Sequence, residues 1–136
     1  TTGMCTSFKE EILKAIHDFT SDTFKIALYT NSASLGASTT AYTTSNETSG
    51  TGYSAGGATL TTVSPTTSGG VAYVDFNDVS FTSSTITARG ALIYNSSKAN
   101  RAVAVYDFGA DQSSSNSTFT IQFPAALSSS AILRIE

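Results

Sequence analysis

The sequence predicts a mainly β protein: an antiparallel β-sandwich or jelly-roll-like domain preceded by one N-terminal amphipathic α-helix. Three observations carry that expectation. Hydrophobic residues alternate with a period of two in short runs from Thr23 onward, the mark of strands. Turn signals built from Gly, Pro, Asn and Ser separate those runs at roughly 8–12 residues, the spacing of sandwiches and barrels. Only residues 8–19 carry the helical period. The organisation expected is one domain over 1–136, with an N-terminal arm at 1–6, a helix at 7–20, and a sandwich at 23–136 that includes a long loop at 31–55.

On a helical wheel Phe8, Ile12, Ala15, Ile16 and Phe19 fall within an arc of roughly 100°, with Glu10, Glu11, Lys14 and Asp18 opposite. Ser7 and Glu10 have the spacing of a capping box, and Glu10 and Lys14 that of an i,i+4 ion pair. Thr20-Ser21-Asp22 ends the segment, because such side chains compete for their own backbone. The first strand is Thr23–Thr30, with Phe24, Ile26 and Leu28 against Lys25, Ala27 and Tyr29. Residues 31–55 read as an extended loop anchored by Leu35, Tyr42 and Tyr53, with a short edge strand near Thr40–Thr44. Ala58–Val63 reads as a strand stopped by Ser64-Pro65, and Ser68-Gly69-Gly70 as a hairpin turn. Val71–Phe76 and Val79–Thr82 flank a bend at Asn77-Asp78. Thr85–Asn95 is a long strand in which Gly90 marks a bulge or a close backbone approach. Ser96–Asn100 is a polar turn. Arg101–Gly109 is apolar on both faces, as in a strand covered on both sides. Phe119, Ile121 and Phe123 alternate with polar residues, Pro124 closes that strand, and Ala131–Ile135 forms the last one.

Composition bounds the function. The chain holds 22 Ser and 22 Thr, about a third of its 136 residues, and no Lys or Arg lies between Lys25 and Arg89. One domain of this length buries roughly two-thirds of its unfolded surface without metals or disulfides. A formal charge of −3, with seven scattered Lys and Arg, argues against nucleic acid as a partner. No run approaches the ~18 apolar residues of a membrane helix, so a membrane partner is not expected. The first five residues lack the basic and apolar regions of a secretory signal. Cys5 is the sole cysteine, expected as a free thiol near a loose terminus, and this fits assembly in a reducing cytoplasm.

No catalytic, cofactor-binding or metal-binding residues are expected. Gly50-Thr51-Gly52-Tyr53-Ser54-Ala55 has the letters of the dinucleotide fingerprint, with Asp75 at a suitable distance. That motif works only between a strand and a helix, and here β-prone residues follow. His17 is the only histidine and is expected to be a solvated helix residue. With one Cys and one His, zinc has no ligand set. Asp75-Phe76-Asn77-Asp78 lacks the alternating spacing of a calcium loop, so turn capping explains it better, and the same holds for Asp107 and Asp111. Three N-x-[ST] triplets, at Asn46, Asn95 and Asn116, are about what chance gives in so hydroxylic a chain. Arg89 is expected to pair structurally with Asp75, Asp78 or Asp107.

Phe24–Thr30, Thr40-Ala41-Tyr42-Thr43, Gly50–Gly57, Thr85–Asn95 and Ala131–Ile135 together resemble a family of small virion structural proteins of tailed bacteriophages. The resemblance covers nearly all of the chain after residue 7. It implies a capsid decoration, or cement, protein: one that bridges major capsid subunits on the outer shell, self-associates as a dimer or trimer, and does no chemistry. It places the protein in the virion, assembled in the bacterial host cytoplasm. Arm 1–6 and loop 31–55 are the segments expected to drape across a capsid seam, so deleting the arm should weaken attachment more than folding. The alternative is a tail-, collar- or fibre-associated virion protein, with Tyr42 and Tyr53 stacking on a host glycan. A carbohydrate-binding or hydrolysing domain is a more distant alternative, disfavoured by the absence of Trp and of a carboxylate pair.

Overall fold

The computed structural model describes residues 3–123 and 133–135, and these form a mainly β architecture of antiparallel sheets with one short helix near the N-terminus. In chain order the elements are β1 (Gly3–Met4), α1 (Thr6–Leu13), β2 (Phe24–Tyr29), β3 (Ala58–Thr59), β4 (Thr62–Ser68), β5 (Val71–Phe76), β6 (Val79–Ser84), β7 (Thr87–Asn95), β8 (Arg101–Ser113), β9 (Ser117–Ile121) and β10 (Leu133–Ile135). They pair as a five-stranded sheet ordered β1-β8-β7-β2-β3, a three-stranded sheet ordered β10-β5-β4, and the pair β6-β9.

The centre of the large sheet is closed on both faces. In β2, Ile26 to Tyr29 are all buried, as are Ala91 to Asn95 of β7 and Ala102 to Val105 of β8. On one face Phe24 stacks on Phe19 at 4.4 Å between centroids and meets Phe76 of β5 at 6.0 Å. The other face is roofed by residues 31–55. That segment pairs with the β8 edge at Ala41 opposite Arg101, crosses β7 where Tyr42 stacks on Tyr94 at 4.7 Å, and reaches the β2 edge at Glu47 opposite Tyr29. A segment rich in Ser and Thr covers a sheet well, since short hydroxyls give up little rotamer entropy when ordered.

Several expectations need correction. The helix is shorter than 7–20 and ends near Leu13, because Ala15 adopts φ 58°. Its N-cap is Cys5, and the Ser7 hydroxyl donates to the Thr39 carbonyl at 3.5 Å, so no capping box forms. The Glu10–Lys14 pair is present. The expected arm is part of the sheet from Gly3 on: Gly3 and Met4 pair with Val105 and Ala104, and the Cys5 amide donates to the Val103 carbonyl. Cys5 is fully buried, so removing 1–6 would damage folding first. Loop 31–55 is likewise tied down along its length. Ala58–Val63 is two strands, and Pro65 does not stop the second. It sits in a register shift between Val63 and Thr66 of β4, an edge strand of its sheet, where its missing N–H costs no ladder bond.

Other expectations hold. Ser68-Gly69-Gly70 turns the β4–β5 hairpin. Gly90 lies at a register shift in the β7–β8 ladder, and a Cβ there would stand 2.6 Å from the Tyr106 carbonyl oxygen. Pro124, Ala131 and Ile132 lie outside the described residues.

Candidate functional site

A gathering of charged and polar side chains lies where the end of α1 meets the β7–β8 turn. His17 is buried there, its side chain without solvent exposure, and not solvated as the helical wheel implied. The left-handed turn at Ala15 folds the chain back, so His17 Nε2 lies 2.9 Å from Glu11 Oε1. The Asn95 amide nitrogen donates to His17 Nδ1 at 3.0 Å and to Asp22 Oδ2 at 2.8 Å, while Asn95 Oδ1 accepts from the Ser97 amide. With Nδ1 accepting, Nε2 carries the proton and donates to Glu11. The cluster ends in two cations: Arg101 donates to Glu11 Oε2 at 2.7 Å, and Lys98 to Asp22 Oδ1 at 2.8 Å.

Burial opposes ionisation of both carboxyls, but the bonds they receive win. His17 and Arg101 hold the Glu11 carboxyl below its ordinary pKa, and Lys98, Asn95 and the Asp18 amide do the same for Asp22. Nearby, desolvation and the charge of Glu11 push the Cys5 thiol up to about 11. Both imidazole nitrogens are engaged and the thiol is held protonated, so the cluster fastens the N-terminal segment to the sheet and offers no free base or thiolate to a solute. Sequence reasoning missed this cluster. Glu11 and His17 are six apart, a spacing that meets on no continuous helix.

A second cluster centres on Glu47. The hydroxyls of Tyr42 and Tyr53 donate to its two oxygens at 2.7 and 2.6 Å, and the Gly56 amide donates at 2.8 Å. Tyr53 also accepts from the Leu28 amide, and Tyr94 donates to the Gly56 carbonyl. Desolvation, then Glu47, pushes the Tyr42 hydroxyl up to about 12 and Tyr53 further still. The two tyrosines expected to stack on sugars are half-buried and make contacts within the molecule, Tyr42 stacked on Tyr94 and Tyr53 against Phe81.

The remaining candidates fall in different places. Arg89 pairs with Asp107, Nε to Oδ1 3.1 Å, one of the three partners expected, beside an open cleft that includes Asn31 and Tyr106. A Gly109 amide bond and then Arg89 draw the Asp107 carboxyl down to about 2. Asp78 accepts from the Phe123 amide beyond the end of β9, and Asp75, within β5, from the Phe76 amide, so neither bond caps the bend at Asn77-Asp78 as expected. Asp75 is buried, and desolvation raises its pKa. Residues 50–55 form a loop followed by β3, without the helix a pyrophosphate needs. Asn95 is fully buried, which removes it as a glycan acceptor. Among the described residues no group of three or more His, Cys, Asp or Glu is placed to hold a metal, and no helix is long and apolar enough to cross a membrane. No protein-family model, curated protein or solved structure matches this chain.

Proposed function

We propose that the chain is a bacteriophage virion structural protein that decorates the outer capsid, self-associates there and braces neighbouring major capsid subunits. The observation that carries this reading is the way the polar groups are spent. Among the described residues no buried side-chain nitrogen or oxygen lacks a hydrogen bond, and both large clusters serve to tie segments to the main sheet. What faces outward is largely short Ser and Thr side chains with few charges, a surface that can lie against another protein without desolvating ions. The resemblance to phage virion proteins runs through β2 and β7 of the main sheet, the roofing segment that covers it, and β10.

The test is an image of purified particles with this protein labelled, together with its copy number by quantitative mass spectrometry. Label over the shell, with copies in proportion to the major capsid protein, is expected. Label at the tail or collar, in a small multiple of tail symmetry, would replace the capsid reading with the tail-associated one. Absence from mature particles would overturn both.

A further inference from the structure

An unpaired strand edge is a template for another chain, and proteins blunt such edges by shortness, bulges, proline or charge. Most edges here are blunted. β1 and β3 are two residues long, and β10 is three and carries Arg134. β4 holds Pro65 within a register shift, and β6 is bulged between Phe81 and Ser84, where Gly52 packs against it. β9 is the exception: its five residues include no proline and no charge, and among the described residues it pairs with β6 alone.

The far side of β9 borders an open groove of about 410 Å³. Residues 118–122 line it in unbroken succession, so the groove follows the edge of the strand and not one face, since successive side chains point to opposite faces. The other wall is the end of β8, with Phe108, Gln112 and Ser113, and the rings of Phe108 and Phe119 meet at 6.5 Å between centroids. None of the described residues lining the groove is charged.

We propose that this groove takes a single extended strand from a different protein, which pairs with the free edge of β9. Every second N–H and C=O of an edge strand turns outward, and main chain in extended form is the ligand that answers such a row. Length sets the match: five residues at about 3.4 Å each give an edge of roughly 17 Å. Volume allows it, as about 410 Å³ is well over twice the roughly 150 Å³ that takes a benzene. The uncharged lining selects a strand of hydroxylic and apolar residues, because a charge there would lose its water without a partner. A second copy of this chain does not fit. Its own β9 carries β6 on the other edge, and that strand would fall where the end of β8 stands. Nor do the described residues offer a loose strand to donate: the N-terminal segment pairs with β8, and 31–55 is bound to the main sheet. The molecule therefore receives a strand and does not extend one, which adds to the capsid reading the surface that meets a neighbour.

Backbone NMR of the full chain, titrated with a capped peptide of about seven alternating Thr and Val residues, tests this. In the free chain, alternate amides of β9 should exchange quickly with solvent. The peptide should slow them at least ~10-fold, with shifts confined to β9 and the end of β8. Thr118→Lys, at an exposed position lining the groove, should weaken binding at least ~10-fold, whereas Thr67→Lys on β4 should bind as the wild type does. Unchanged circular dichroism would verify that both variants fold. A peptide with Lys in place of Val should not bind. Outward β9 amides already protected in the free chain, or protected only as its concentration rises, would give the edge to the chain itself or to a second copy and overturn the assignment. So would a peptide that leaves the β9 amides unshifted at millimolar concentration, equal binding of the lysine peptide, or a Thr118→Lys variant that binds like the wild type. The particle label decides the capsid reading separately: label on the shell without peptide binding leaves that reading standing, and peptide binding without label leaves the edge.

Discussion

His17 owes its burial to one backbone angle, the φ of 58° at Ala15 that carries the chain from the end of α1 back under the sheet. Once there it depends on Asn95, whose amide satisfies two buried acceptors at once. Asn95→Ala orphans the buried His17 Nδ1 and takes one of two donors from Asp22 Oδ2, which keeps the Asp18 amide, so at about 1–3 kcal/mol for an orphaned group the expected loss is about 2 kcal/mol, read from urea unfolding. Asp75 runs the other way. Desolvation raises its folded pKa above the unfolded value, so the group lowers stability once pH exceeds the unfolded pKa. Asp75→Asn keeps the acceptor for the Phe76 amide and should raise stability at pH 7 while leaving it unchanged near pH 2, where both forms are neutral. Comparison of unfolding midpoints at the two pH values decides this. Cys5, buried with its thiol near pKa 11, should resist a thiol-disulfide reagent at neutral pH until the protein unfolds, whereas fast native-state labelling would show that the β1 edge opens.

The roofing segment 31–55 is an element without regular secondary structure, and Glu47 is what fixes it. Glu47→Gln removes the charge that receives three donors, and about 2–3 kcal/mol of stability should go with it. The same change should let Tyr42 ionise below its present value of about 12, though still above the ordinary range, because burial is the larger cause and remains. Ultraviolet titration of the phenolates checks both parts. Gly57 anchors the far end of the roof. Its φ is +77°, and a Cβ would fall 1.7 Å from the Ile26 carbonyl oxygen, backbone that cannot yield. Gly57→Ala should cost about 4 kcal/mol, while Gly36→Ala, with open space around it, should be close to neutral.

At the scale of the whole molecule the shifted groups define a stability plateau. Glu11 and Asp22 have depressed carboxyl pKa values, so their contribution is full above the unfolded values near 4 and is lost as pH falls through the folded ones. Tyr29, Tyr42, Tyr53 and Tyr106 are raised, so stability holds below the unfolded value near 10 and declines above it as the unfolded chain ionises first. The raised thiol of Cys5 begins that decline slightly earlier, near its ordinary value of 9.0. Melting temperature should fall on the acid side as Glu11 and Asp22 protonate, and on the alkaline side above about 9. In Asn95→Ala the acid limb should be shallower, because one donor to Asp22 is gone. An acid limb of unchanged steepness in that variant would show that Asn95 does not help set the acid limb.

The sequence by itself determined what depends on neighbours along the chain. Period-two alternation placed β2, β7 and β9, since a strand's faces are set by adjacent residues, and a run apolar on both faces placed β8. Gly69 and Gly70 placed a hairpin, because their positive φ favours glycine, and Gly90 a bulge, because a side chain there would meet the Tyr106 carbonyl. Arg89 was legible as an ion-paired residue because so few charges surround it. Tertiary structure alone decided the rest. Whether His17 faced water turned on a single left-handed residue, which no periodicity reveals. Whether loop 31–55 was free turned on Glu47 meeting Tyr42 and Tyr53, hydroxyls whose partners are fixed only when the sheet edges exist. Pro65 was misread as a stop because its N–H is dispensable only on an edge strand, and strand order is a property of the assembled sheet, not of the chain.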